Sequence, residues 1–271
     1  MMKKQTTETN CWTITSALVL VALSYVLFAS SMTMWLVFLW NNHSLVHVEL
    51  PLMTENREFE LLLVDSALSA AFFLQHSGMV RRPFRQFLAR SIDVEYHGAI
   101  YTIAASIVLL AGLVFWQKSS VIILDPKDMV LFPFVMHAIF LSAVLGFFWG
   151  TFSLKAFDVC GINPILSKLG MKDPPQPMPL SLSGPYRFVR HPYYFCCMVA
   201  FWACPSLTMD RLLYNVLWSA WLVIGTLLEE RDLVRDFGEP YKDYQRTVPM
   251  LIPWYFGSGS AGKAKAKKNE D

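Results

Sequence analysis

TITSALVLVALSYVLFASSMTMWLVFLW, the run from Thr13 to Trp40, decides the fold. No charged residue stands between Glu8 and Glu49, and a membrane-spanning helix needs about 20 mostly apolar residues. Three further candidates follow, at about Phe59 to Val80, Tyr96 to Gln117 and Leu131 to Leu154. The stretch from Tyr193 to Leu228 is too long for one span. It is broken at Cys204-Pro205-Ser206, with Asp210 and Arg211 just beyond, and reads as a helical hairpin whose first arm is short. Composition agrees: 54% of the 271 residues are hydrophobic and 16% are charged, which excludes an ordinary soluble domain. The expected fold class is all-α, a polytopic integral membrane protein of five to six transmembrane helices with a C-terminal helical hairpin.

Lys3 and Lys4 give the chain the basic start of a signal peptide, but the apolar run is too long for a signal h-region and lacks a convincing cleavage site. Basic residues set the orientation. Arg81, Arg82, Arg85 and Arg90 follow the second span, whereas the connection before it holds Arg57 beside Glu49, Glu55 and Glu58. Lys155, Lys168, Lys172, Arg187 and Arg190 fall on the same side as the basic C-terminal region. Both termini are therefore expected in the cytoplasm. A net charge of +2 reports topology and contact with anionic lipid, and makes no case for nucleic acid.

The expected organisation is a cytoplasmic N-terminus (1–11), one membrane domain (12–256) and a disordered basic tail (257–271). Pro174, Pro175, Pro177 and Pro179 form a stiff connector into the C-terminal motifs. The five cysteines show no CxxC or Cys/His metal spacing, so they read as packing residues and no metal is expected.

Charge gathers at one membrane surface, in Gly184-Pro185-Tyr186-Arg187-Phe188-Val189-Arg190-His191-Pro192-Tyr193-Tyr194. Proline is favoured at the first helical position, which makes His191 the expected cap. The helix it starts would direct free N–H groups at a carboxylate or phosphate, with Arg187 and Arg190 nearby. Read alone, the segment also fits a juxtamembrane basic cluster on anionic lipid. Glu229 and Glu230 close the last apolar run on the same side, and carboxylates so near hydrocarbon are costly unless paired. They could hold a ribose or an ammonium group, or pair with Arg187 or Arg190.

In order and spacing, Arg190-His191-Pro192, Glu229-Glu230 and Gly238-Glu239-Pro240-Tyr241-Lys242-Asp243-Tyr244 resemble the signature of the isoprenylcysteine carboxyl methyltransferase and phospholipid methyltransferase superfamily. The resemblance covers Gly184 to Pro253 and implies S-adenosylmethionine bound at the cytoplasmic face by a cofactor part of about 184–253. Phe73-Leu74-Gln75-His76-Ser77-Gly78-Met79, Arg90-Ser91 and Phe157-Asp158-Val159-Cys160-Gly161-Ile162 narrow it to the methanethiol S-methyltransferase branch, which includes nurim-like proteins. That branch implies methyl transfer to a small thiol, methanethiol, giving dimethyl sulfide, in a bacterial cytoplasmic membrane. An isoprenylcysteine or lipid acceptor is the alternative within the superfamily. A non-catalytic nurim-like scaffold is the alternative outside enzymes, and retention of all three motif elements argues against it.

Under this resemblance the methionine carboxylate is assigned to the helix start at His191-Pro192, with Arg190 or Arg187 assisting. Tyr186 and Glu229 or Glu230 contact the nucleoside or amino group, and Tyr241 closes the pocket. On the second span, Asp65, Ser69, Phe72 and His76 share one helical stripe, which a membrane helix turns inward. His76 is either a buried histidine satisfied by a neighbour or the residue that positions the acceptor and removes its proton.

Overall fold

The computed structural model describes residues 11–51, 56–126, 128–154, 158–175 and 179–253. The first ten residues of the expected N-terminal segment, Glu55, Lys155, Phe157, Pro177 and the tail 257–271 lie outside the described residues.

In chain order the helices are α1 (Cys11–Asn41), α2 (Arg57–Val80), α3 (Arg82–Leu88), α4 (His97–Val114), α5 (Leu131–Ser153), α6 (Asn163–Lys168), α7 (Pro192–Trp202), α8 (Met209–Phe237) and α9 (Glu239–Thr247). Five helices, α1, α2, α4, α5 and α8, are long and apolar enough to cross a membrane, as the sequence reading expects of an integral membrane protein. Their outer faces expose Leu63, Leu74, Leu145, Phe152 and Ile224, and such side chains suit lipid contact. By contrast α7 has 11 residues, a rise of about 16 Å at 1.5 Å per residue, roughly half a hydrocarbon core. It ends before Pro205, and the chain reaches α8 through a bend and a short extended segment.

That extended segment forms the one departure from an all-helical fold among the described residues. β2 (Leu207–Thr208) pairs antiparallel with β1 (Ile122–Leu124). The hairpin turn is thereby tied to the connection between α4 and α5.

Between the helices lies a stack of aromatic rings. Tyr214 and Trp218 on α8 stack at 4.7 Å, Phe72 lies over Trp218 at 5.0 Å, and Phe38 meets Tyr214 edge-on at 5.2 Å. Offset and edge-to-face contacts of this kind contribute beyond their buried area. Arg211 is fully buried beneath them. Its guanidinium approaches the carbonyls of Phe38, Leu39 and Phe201, so one cation faces the last turns of α1 and α7, where a positive charge complements the helix dipole. The inward stripe of α2 is as expected: Asp65, Ser69 and Phe72 are buried. Asp65 accepts the Gln117 N–H at 2.8 Å, which anchors the α4–α5 connection at the end of the bundle far from Glu230.

At the opposite end, α6 sits on the starts of α1 and α4, with Ile165 buried against Ala17 and Ala99. The turn before it crosses α4 backbone to backbone. Gly161 has φ +64, and a Cβ there would stand 2.2 Å from the Gly98 carbonyl carbon. Ser24 donates to the Cys160 carbonyl at 2.7 Å and Thr102 to the Val159 carbonyl at 3.2 Å. The Asp158-to-Ile162 stretch is thus a clasp across two helices, α1 and α4.

Candidate active site

Pro192 starts α7, as its missing N–H favours. His191 occupies the cap position, yet its side chain makes no capping hydrogen bond. The imidazole instead meets the Glu230 carboxylate, Nε2 to Oε1, at 2.6 Å. Backbone N–H groups of Arg190 and His191 donate to the carbonyls of Pro249 and Met250 at 2.9 and 3.1 Å. The chain after α9 therefore folds back along the motif.

Glu230 is the centre of the site. Arg190 binds it through two bonds, Nε to Oε1 at 3.0 Å and Nη2 to Oε2 at 2.7 Å. The Tyr241 hydroxyl and the Gln245 amide each donate to it at 2.6 Å. A carboxylate that receives so many donors, a bidentate arginine among them, is held ionised in a fixed orientation. The remaining Arg190 nitrogen donates to the carbonyls of Gln245 and Val248. Burial opposes the Arg190 charge, and the contacts to Glu230 outweigh it, holding the guanidinium above its ordinary pKa. For Tyr241, burial first and the bond to Glu230 second push the phenol well above its usual range, so it remains a donor.

Tyr241 is available to Glu230 because Gly238, at φ +65, breaks α8 and lets α9 return. On α9 the buried residues are Tyr241 and Tyr244, and Gln245 shares their face one turn from Tyr241. Glu239, Lys242, Asp243 and Arg246 point outward and pair among themselves. Tyr244 donates to the Tyr186 carbonyl, which fixes the turn carrying Tyr186. The Tyr186 hydroxyl is itself buried with no hydrogen-bond partner among the described residues.

Glu229 differs from its neighbour because consecutive helical residues are rotated by about 100°. Its side chain is 42% exposed, and one oxygen accepts the Tyr194 hydroxyl at 2.6 Å. Tyr194 stacks on His191 with 5° between the rings. The sequence reading ends the last helix at the acidic pair, whereas α8 continues to Phe237. Its added turns are held by α3, where Arg82 meets Asp236 at 3.1 Å and Arg81 meets Asp232 at 3.6 Å. Arg187 stays outside the Glu230 cluster; it is exposed, beside the Phe188 ring and the Gly184 carbonyl.

His76 lies in an aromatic box, 5.3 Å from Phe72, 5.4 Å from Tyr101 and 5.1 Å from Trp221 between ring centroids. No described residue hydrogen-bonds its nitrogens. The structure brings together Arg190, His191, Glu230 and Tyr241, all named from the sequence, and sets beside them Gln245, and beside His76 the rings of Tyr101 and Trp221, which the sequence reading does not name. The position of Gln245, four residues after Tyr241, was a usable signal; Tyr101 and Trp221 carry none apart from the fold. Among the described residues no group of three or more His, Cys, Asp or Glu side chains forms a metal site.

Comparison with known proteins identifies relatives along most of the chain. The methanethiol S-methyltransferase of Pseudomonas deceptionensis is 33% identical over 199 residues, covering 71% of this chain and 72% of that protein. A methanethiol S-methyltransferase from another Pseudomonas is 35% identical over 199 residues, with 71% and 73% covered. Methanethiol S-methyltransferase 1 of Bradyrhizobium diazoefficiens is 32% identical over 204 residues, with 74% and 70% covered. No family model matches the chain. No solved structure matches it significantly.

Proposed function

Because this chain belongs to the methanethiol S-methyltransferase family, we propose that it transfers a methyl group from S-adenosylmethionine to methanethiol, giving dimethyl sulfide. One observation carries the reading: Arg190 and His191 before α7, and Tyr241 and Gln245 on α9, converge on the Glu230 carboxylate beside a second carboxylate that is still open to water.

These residues fit a cationic amino-acid nucleoside. Glu229 offers a partly exposed carboxylate to an ammonium group, and the buried Tyr186 hydroxyl lacks a partner among the described residues. Arg187, free of the Glu230 cluster, and the start of α7 at His191-Pro192 take the ligand's carboxylate. Arg190 and Glu230 act by fixing His191 and Tyr241, and Tyr241 closes the pocket. When bound, S-adenosylmethionine supplies a methyl group activated on a sulfonium. The chain aligns the acceptor sulfur with it, excludes water and accepts the thiol proton. His76, set in its aromatic box with no hydrogen-bond partner among the described residues, positions the thiol and takes that proton. Aromatic faces around it stabilise positive charge.

Arg81, Arg82, Arg85, Arg90, Lys168, Lys172, Arg187 and Arg190 lie at the Glu230 end of the bundle or on loops leading to it, so this end faces the cytoplasm. The host is a bacterial cytoplasmic membrane, in keeping with bacterial relatives. The test is headspace gas chromatography of cells that make the protein and are fed methanethiol. Dimethyl sulfide should appear with the wild-type chain and be absent with the Glu229→Ala/Glu230→Ala double variant. Its absence from both, with wild-type protein folded, would overturn the reading.

A further inference from the structure

The seam between α2 and α8 beside His76 is closed by interleaved rings. Phe73 on α2 stacks on Trp221 of α8 at 4.8 Å with 10° between planes. Phe72 meets the same indole edge-on at 5.5 Å, and Trp218 does so at 5.8 Å. The Trp221 N–H donates to the Ser77 hydroxyl at 3.1 Å. One indole is therefore fixed on two sides by rings and at its polar edge by a hydrogen bond, in contact with His76. Immediately along both helices the side chains belong to the lipid face: Leu74 is 77% exposed, Ile224 58% and Leu227 49%. Trp221 stands at the boundary between the His76 box and the lipid.

Resting on the reading of His76 as the acceptor position, we propose that Trp221, clamped by Phe73 and Ser77, is the residue that limits the acceptor to a small thiol. A thiol with a long apolar chain leaves that chain in the lipid, so its sulfur reaches His76 only by passing between two helices. A pinned indole in the α2–α8 seam bars that approach. A thiol of one carbon needs no lateral groove, and the rings that close the seam supply an apolar wall for its methyl group. Rejection by a closed apolar wall depends on side-chain volume, so removing the indole should admit the longer chain.

The experiment compares purified wild-type protein with the Trp221→Ala and Ser77→Ala variants, each supplied with S-adenosylmethionine and either methanethiol or hexanethiol. The readout is the ratio of kcat/KM for hexanethiol to that for methanethiol. Trp221→Ala should raise the ratio by at least about tenfold, the scale on which apolar pockets discriminate chain length. Ser77→Ala, which keeps the ring and removes its hydrogen bond, should raise it by less in the same direction. A variant that merely loosened the fold would depress both substrates together and leave the ratio where it was. An unchanged ratio in Trp221→Ala overturns the proposal, and should that variant fail to fold, an unchanged ratio in Ser77→Ala does so. Wild-type protein that makes no dimethyl sulfide overturns the functional reading and takes this one with it. Dimethyl sulfide from the wild type with unchanged ratios sinks the seam alone.

Discussion

Arg190 holds Glu230 through two bonds, of 3.0 and 2.7 Å, across 40 residues of sequence. The pair joins the start of α7 to the C-terminal part of α8 at one end of the bundle, and both side chains are below one-tenth exposed. Burying two charges is costly, and leaving either alone costs more.

Glu230→Ala should consequently act on stability and on ligand affinity at once. Loss of one partner from a buried pair costs about 3–5 kcal/mol, and here it also strands His191, Tyr241 and Gln245. A lower midpoint of thermal unfolding in detergent and a loss of S-adenosylmethionine binding by calorimetric titration are the expected results. Retained affinity would remove Glu230 from the site.

Glu229→Gln should separate the two roles. Its carboxylate is 42% exposed, takes a hydrogen bond from Tyr194 and stands 3.8 Å from His191 Nδ1, so the unfolding midpoint should move little. Affinity for S-adenosylmethionine should fall, because a neutral amide no longer attracts an ammonium group. Equal losses of stability in the Glu229→Gln and Glu230→Ala proteins would contradict the division.

That division was not legible in the sequence, and the reason is geometric. Adjacent glutamates point about 100° apart on a helix, and the choice of which one faces inward belongs to α7 and α9, not to the pair itself. The same holds for Arg187 and Arg190: both flank the turn, and the carbonyls of Gln245 and Val248 select Arg190. The spans were legible because lipid requires long apolar runs, and Pro192 marked the start of α7 by its own chemistry. The end of α8 was not, since charged turns past Glu230 are held by Arg81 and Arg82, partners about 150 residues away that no local pattern reports.

His76→Phe should lower turnover with methanethiol by about a hundredfold, the low end for loss of a proton-accepting group. Phenylalanine keeps a ring among Phe72, Tyr101 and Trp221 and removes only the nitrogens, so S-adenosylmethionine affinity should be preserved. Full turnover in this variant would reduce His76 to packing.

Gly161 and Gly170 give a controlled test of the clasp between α4 and the segment leading into α6. Both have positive φ, +64 and +72, a conformation that costs a non-glycine residue about 1–3 kcal/mol. At Gly170 an added Cβ meets nothing within 4 Å, whereas at Gly161 it would stand 2.2 Å from the Gly98 carbonyl carbon and 2.6 Å from the Ala99 nitrogen. Those are backbone atoms of a packed helix, so relief requires α4 and the turn to separate, loosening the bonds from Ser24 and Thr102 as well. Thermal unfolding should therefore show Gly161→Ala clearly less stable than Gly170→Ala. Gly98→Ala should resemble Gly161→Ala, since its Cβ would lie 2.8 Å from the Gly161 Cα. Equal midpoints for Gly161→Ala and Gly170→Ala would mean that backbone strain alone acts there and that the close helix crossing contributes nothing to stability.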